Sequence, residues 1–427
     1  MVFKDHKNSK YKKLLDATKE EERLGLHSFH RYYGKLIPAI PRAFIREFTK
    51  EGQWVLDPFS GSGTTALETK FLNRNFVGIE INPLSVLMIK VKINNYNTNF
   101  LQSIFNDLLI LYEKDNKPVR EENKPFCVNR DHWFKDFVQN DLLKLQRNID
   151  KAVCKHVGEK EKQKYIDFFT LCISAIVKQV SNADTMHVFP GISKRMRRLE
   201  AEGKIHINVL ETFKRAVNKR IKWAGEIKCN KCKNDIIFGD STEINLKKYY
   251  NKIDLIVTNP PYISSVRYAE TLKLELYWMQ YLKSQKDYSD LSTSMIGNDH
   301  IPINKCKEIN ITGYKCIDEY IKNMFKVDKK QAEVLFEYFT SMEKVIENIS
   351  KCVKRNGKVV IKISDSKIRK TAIPTGKLLT EMGKKYNFEL LDVFNDKIND
   401  NSRSLLLSRN TYSDIIVEDN IVIWQKK

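Results

Sequence analysis

The chain has 427 residues, enough for one large domain with an inserted subdomain and a sizeable buried core. Its 74 Lys and Arg against 53 Asp and Glu leave a formal charge of +21, which favours a polyanionic partner bound in a salt-dependent way, although an AT-rich genome also yields Lys-rich, Asn-rich chains. The basic opening Met1-Val2-Phe3-Lys4-Asp5-His6-Lys7 has no apolar signal core behind it, the longest apolar run is too short for a bilayer, and the eight cysteines form no framework, so the composition disfavours secretion and membrane spanning and points to a reducing cytoplasm.

The first informative elements lie between residues 54 and 80. Trp54 to Leu56 is a short apolar run ending in Asp57, and Pro58-Phe59-Ser60-Gly61-Ser62-Gly63-Thr64-Thr65 follows it. Gly61 and Gly63 permit a sharp turn and close backbone approach, and Ala66-Leu67-Glu68 opens a helix. A strand, a glycine loop and a helix in that order place a nucleotide-like ligand at a helix N-terminus, beside the carboxyl end of a parallel strand. No Gly-Lys-Ser/Thr follows, so this is not a phosphate loop, and the glycine spacing is wrong for a Rossmann dehydrogenase. A second strand, Phe76 to Ile79, ends in Glu80, where an acid can hold ribose hydroxyls. The bland alternative is a glycine turn with no ligand.

The interval 101–234 reads as a mainly helical insertion. Asp141 to Gln146 and Val209 to Phe213 space their apolar residues helically, and the apolar run Phe168 to Val177 reads as a buried helix. Between them lies Ser193-Lys194-Arg195-Met196-Arg197-Arg198, either a solvated face or a phosphate-contacting cluster; within this architecture phosphate contact is favoured. Cys229-Asn230-Lys231-Cys232 is half of a zinc site at most, because no second pair stands at suitable spacing. No metal is expected, and the alternative is a turn before the strand Asp235 to Phe238.

The sheet resumes after that insertion. Asp240 follows Phe238-Gly239, and the apolar strand Ile253-Asp254-Leu255-Ile256-Val257 leads into Thr258-Asn259-Pro260-Pro261-Tyr262. Two prolines fix the backbone and remove two donors, so the Asn259 oxygen and the Pro260 carbonyl form a pair of acceptors for one amino group. Drawing both amino hydrogens to such acceptors directs the nitrogen lone pair at an electrophile. Tyr262 adds a flat face for a planar substrate. Leu272 to Trp278 looks like the next helix, 284–330 is a polar, loop-rich excursion, and Gly357 to Ile363, Phe388 to Val393 and Asn420 to Trp424 supply further strands, the last two as a terminal hairpin.

At this point the chain resembles the S-adenosylmethionine-dependent DNA amino-methyltransferases that modify adenine N6 or cytosine N4, over most of its length outside the two polar insertions. The resemblance implies an α/β fold, a Rossmann-like, mostly parallel methyltransferase sheet with a terminal antiparallel hairpin and a mainly helical insertion. The catalytic domain would comprise residues 1–100 and 235–427, with 101–234 as the candidate target-recognition subdomain. Asp57, Pro58, Phe59, Gly61, Gly63, Thr64 and Thr65 would line the cofactor pocket, with Glu80 on the ribose and Asp240 on the adenine amine. His30-Arg31-Tyr32-Tyr33-Gly34-Lys35-Leu36-Ile37-Pro38 looks like the segment that closes over the methionine end, through His30 and Lys35. Asn259, Pro260, Pro261 and Tyr262 would be the catalytic motif, and Lys194, Arg195, Arg197, Arg198 and Arg267 the DNA contacts. The cofactor implied is S-adenosyl-L-methionine, the partner duplex DNA in a prokaryotic cytoplasm, and a cognate restriction endonuclease is expected beside it.

Asn at the first motif position leans to adenine by family habit, whereas the segment His30 to Pro38 and the continuation Arg267-Tyr268 to Trp278 lean, slightly more, to cytosine N4. The same four-residue motif also occurs in methyltransferases of RNA guanine N2 and of protein glutamine, and a non-catalytic DNA-binding module is the non-enzyme alternative.

Overall fold

The chain is described by a computed structural model over residues 9–226, 232–264, 267–299, 301–397 and 418–427. Nine strands follow in chain order: β1 Trp54–Asp57, β2 Asn75–Glu80, β3 Asn234–Phe238, β4 Ile253–Thr258, β5 Val353–Ile363, β6 Ser366–Ile368, β7 Thr371–Ile373, β8 Phe388–Lys397 and β9 Glu418–Lys426. Seven of them form one sheet in the order β3-β2-β1-β4-β5-β9-β8, while β6 and β7 pair as a small separate hairpin. Strands β1 to β5 pair in parallel, and β9 runs antiparallel to both β5 and β8. This is the Rossmann-like methyltransferase sheet with its antiparallel edge.

Alternation along the strands decides what the two faces bury. Val55, Leu255, Val257, Val360, Ile421 and Ile423 point to one face, where they pack against the helix Ala39–Phe48. Their neighbours Leu56, Ile256, Val359, Ile361, Val422 and Trp424 point to the other, against the helices Lys329–Cys352 and Thr375–Lys385. Apolar runs that lack a polar alternate are therefore explained by burial on both sides.

The helical interval is built from Thr98–Glu113, Asp136–Cys154, Glu159–Val180, Lys194–Ala201 and Val209–Ala224, with shorter turns between them. Its apolar faces do not make a private core. Leu101, Leu142, Phe168 and Phe213 share one cluster with Leu84 and Met88 from the helix Pro83–Ile93, and with Leu276 and Trp278 from the helix Lys273–Trp278. The interval thus forms a layer fused to the sheet's flank.

Two boundaries differ from the sequence reading. The helix after the glycine loop starts at Thr64, ahead of Ala66, because Gly63 in the left-handed region (φ +78°) caps it. The expected loop-rich excursion carries the helices Gln285–Ser294 and Lys315–Val327. Ser284 caps the first through its hydroxyl, and Ile317, Ile321 and Met324 give the second a buried stripe that the mixed charge around them conceals. Cys229 lies outside the described residues. Among those described, no three His, Cys, Asp or Glu converge to hold a metal, and no helix is long and apolar enough to cross a membrane.

Candidate active site

Strand β1 lies between β2 and β4, so the chain leaves its two neighbours toward opposite faces and opens a crevice at their carboxyl ends. Asp57 ends β1, Glu80 ends β2, Asp240 follows β3 and Asn259 follows β4. These four residues, which are far apart in sequence, border one cavity.

The glycine loop is held by its surroundings. Asp57 Oδ1 accepts the Phe59 N–H at 3.0 Å and the Thr258 hydroxyl at 2.7 Å. Glu80 accepts the Gly61 N–H at 2.6 Å through one oxygen and the Asn82 N–H at 2.8 Å through the other. Buried Lys92 donates to the Ser62 carbonyl at 2.6 Å. Gly61 takes φ +50°, and a side chain there would press within 3.2 Å of the Tyr32 hydroxyl. Gly63 would drive a Cβ to 2.9 Å from Ile89, so it sets the packing of helix on helix rather than bordering the cavity.

Burial sets the electrostatics of the two acids. It pushes the Asp57 carboxyl up to about 6 despite the Thr258 and Phe59 hydrogen bonds. Burial likewise pushes Glu80 up to about 7, with the Asp57 charge adding to the effect. Asn82 also borders the cavity, and its buried Nδ2 has no hydrogen-bond partner among the described residues. Two buried carboxyls with raised values and one orphaned donor suit a ligand that brings hydroxyls, an acceptor and a positive centre.

The segment 30–38 lies over this crevice. Arg31 clamps it from outside: its guanidinium donates to both Glu275 oxygens at 2.8 Å and to the Thr271 carbonyl at 2.6 Å. Lys35 borders the cavity and donates to the carbonyls of His27 and His30 at 2.9 and 2.7 Å, while burial lowers its ammonium to about 8. Against expectation, His30 does not border the cavity. It is buried behind the segment, with Nδ1 at 2.7 Å from its neighbour's carbonyl and Nε2 at 3.1 Å from the Ser174 hydroxyl.

In the four-residue motif, Asn259 and Pro261 border the cavity, and Pro260 and Tyr262 do not. Asn259 Nδ2 donates to the Gly34 carbonyl at 3.2 Å, and Oδ1, the other end of the amide, lies within reach of the Tyr262 hydroxyl. The ring of Tyr262, expected to offer a stacking face, is half-buried and packs against the sheet's core. Its hydroxyl sits 3.1 Å from Asn259 Oδ1, 3.1 Å from Asp419 Oδ1 and 3.0 Å from Lys362 Nζ. Tyr32 and Tyr268 instead bring stacked rings to the cavity, with centroids 6.1 Å apart. Both stood inside quoted segments, but nothing in the sequence separated them from their neighbours. Met295 and Ile296 of the excursion also border the cavity, and no sequence signal marked them.

Of the expected DNA contacts, Lys194, Arg195, Arg197 and Arg198 lie on the helix Lys194–Ala201. Arg195 is spoken for: it pairs with buried Asp184 at 2.6 Å, which also accepts the Ser193 hydroxyl. Arg198 pairs loosely with Glu202 at 3.8 Å, and Arg267 lies 3.2 Å from Asp299.

The sequence profile described as DNA methylase matches residues 4–91, the stretch with the closing segment, the glycine loop and Glu80. Beyond that stretch, the type II methyltransferase M.MvaI of Kocuria varians is 25% identical over 402 residues, covering 87% of this chain and 84% of that protein. The chain is kin to the S-adenosylmethionine-dependent DNA amino-methyltransferases of restriction–modification systems. M.BsoBI of Geobacillus stearothermophilus aligns with 94% of the chain and 86% of its own length at 22% identity. M.MjaII of Methanocaldococcus jannaschii is 36% identical over 95 residues, 22% of this chain and 18% of that protein. The protein uses S-adenosylmethionine, and the acids at the ends of β1 and β2 border the crevice at the carboxyl ends of the strands.

Proposed function

We propose that the protein transfers the methyl group of S-adenosylmethionine to an exocyclic amine of a base in duplex DNA, cytosine N4 in preference to adenine N6, after the base has been turned out of the helix. The carrying observation is the placement of Asn259. Its amide nitrogen is pinned to Gly34, and the residue borders the same cavity as Asp57 and Glu80.

The cofactor supplies a sulfonium methyl that is already activated, so the protein has alignment and desolvation to provide rather than a strong nucleophile. Glu80 and Asp57 hold hydroxyls and positive charge, and Asp240 borders the same cavity. Asn259 Oδ1 accepts an amine hydrogen and so helps to turn the nitrogen lone pair toward the methyl. Tyr32 and Tyr268 give the base a flat wall. The methylated amine is strongly acidic and loses its proton to the acceptors in place or to solvent, so no buried general base is needed.

The preference for cytosine rests on the segment 30–38 and the Arg267 to Trp278 continuation. Lys194 and Arg197, on the exposed helix, would meet phosphates, with Arg198 beside them. A cognate endonuclease would share the recognition sequence.

Purified protein, labelled cofactor and unmodified plasmid provide the test, with RNA and bulk protein as competing acceptors. Label entering DNA alone is expected. Label entering RNA or protein instead would overturn the reading in favour of the guanine-N2 or glutamine classes, and cofactor binding without transfer would leave a DNA-binding module.

A further inference from the structure

Behind the catalytic motif lies a buried charge pair for which the chemistry above has no use. Lys362 on β5 and Asp419 on β9 face each other across the sheet, Nζ to Oδ2 at 2.6 Å, and both are more than nine-tenths buried. Breaking such a pair leaves an uncompensated charge, and an apolar pair of similar volume is often no less stable, so stability alone is a weak reason for it. Its remaining atoms all reach the motif. Lys362 Nζ lies 3.0 Å from the Tyr262 hydroxyl, and Asp419 Oδ1 lies 3.1 Å from it and also accepts the Ser364 hydroxyl.

The Tyr262 hydroxyl has one hydrogen and two carbonyl-type acceptors at equal distance, Asn259 Oδ1 and Asp419 Oδ1, both 3.1 Å away, while the neighbouring Ser364 hydroxyl spends its own hydrogen on Asp419. The ammonium of Lys362 can only donate, so it fills a lone pair of the phenol oxygen and forces the hydrogen outward to one of the two. A carboxylate is the stronger acceptor, because a hydrogen bond to an ionised group is about twice as strong as one between neutral groups. With the hydrogen on Asp419, both lone pairs of the Asn259 oxygen remain for the target amine. With the hydrogen on Asn259, the tyrosine competes with the substrate for its own acceptor.

We propose that Asp419, with Lys362, is a positioning residue that draws the Tyr262 hydroxyl hydrogen away from Asn259 and so keeps the Asn259 oxygen open to the amine being methylated. This rests on the methyltransferase reading above. Neither residue touches the substrate; both act through Tyr262.

The signature is a reversal of sign that a merely structural pair does not produce. Lys362→Met with Asp419→Leu removes both charges together, so no unpaired ion is left to unfold the sheet. That double variant leaves the tyrosine hydrogen only Asn259 and the hydroxyl of Ser364, a poorer acceptor than the amide oxygen, and kcat on plasmid DNA should fall roughly tenfold, the worth of one hydrogen bond, with KM for the cofactor unchanged. Adding Tyr262→Phe removes the competing hydrogen, and kcat should recover to within about threefold of the wild type. In the wild-type background the same Tyr262→Phe change should cost less than threefold. Asp419→Asn, which keeps an acceptor but a neutral one, should fall between the wild type and the double variant.

A triple variant no faster than the double, or a double variant as fast as the wild type, overturns the proposal while leaving the methyltransferase reading intact. A wild-type protein that places no methyl on DNA overturns both. Should the double variant not fold, Asp419→Asn with and without Tyr262→Phe reads the same reversal, and a second loss in place of recovery overturns it.

Discussion

Asn259 and the two acids that share its cavity have separable duties, and substitutions should separate them. Asn259→Ala removes an acceptor of the amine and leaves the cofactor walls untouched, so kcat should fall by at least about a hundredfold while the cofactor Kd moves less than about threefold. Asp57→Ala should do the reverse and weaken cofactor binding first. Single-turnover rates at saturating cofactor and DNA decide this, and a normal rate for Asn259→Ala contradicts the assignment. The acids also predict a pH dependence. Their folded values, about 6 for Asp57 and about 7 for Glu80, lie above the usual carboxylate range, so both are charged at pH 8 and become progressively protonated as pH falls below 7. A ligand that needs the charged acids should bind up to about tenfold more weakly per pH unit in that window for each group it engages. Calorimetric titration at pH 8 and pH 6 measures it, and an affinity flat across that range removes the acids from the binding site.

Among the elements, the closing segment and the basic helix carry distinct expectations. Arg31 ties the segment to the helix Lys273–Trp278 through Glu275, which is 1% exposed, so Glu275→Gln leaves Arg31 half-paired and should lower stability by about 3 kcal/mol. Thermal unfolding with and without cofactor reports whether the loosened segment also weakens binding, and an unchanged midpoint would mean that the clamp is slack. On the helix Lys194–Ala201, Lys194→Ala and Arg197→Ala should each reduce the salt slope of DNA affinity by about 1. Arg195→Ala should act through stability, because it leaves Asp184 without its guanidinium. Equal salt slopes in all three variants and the wild type would place the DNA elsewhere. The legibility of these elements follows a physical line. Strands and glycine loops were readable because their signals are local: alternation, a left-handed turn and a strand-end acid fall within a few residues. The charge pair at Lys362 and Asp419 was not, since 57 positions separate residues that only the β5–β9 pairing joins. The burial of the Tyr262 hydroxyl is invisible in the sequence for the same reason: the motif fixes its backbone, but partners on β5 and β9 turn its hydroxyl inward. The helices 285–294 and 315–327 were hidden by mixed charge, which overrode the weaker apolar period.

At the scale of the whole molecule, the crevice at the carboxyl ends of β1 and β4, a fused helical layer and a net charge of +21 converge on a polyanion brought to a cofactor site. Because the helical layer shares its core with the helices flanking the sheet, excising residues 101–234 should expose that core and unfold the remainder, rather than release a DNA-free methyltransferase. The measurement that tests the account most directly is nucleoside mass spectrometry on plasmid DNA from cells producing the protein, beside cells producing Asn259→Ala. N4-methylcytosine present with the wild type and absent with the variant is the predicted result; N6-methyladenine in its place would keep the chemistry and correct the base. Plasmid carrying neither mark, from cells in which the protein is folded and binds its cofactor, would contradict the central claim.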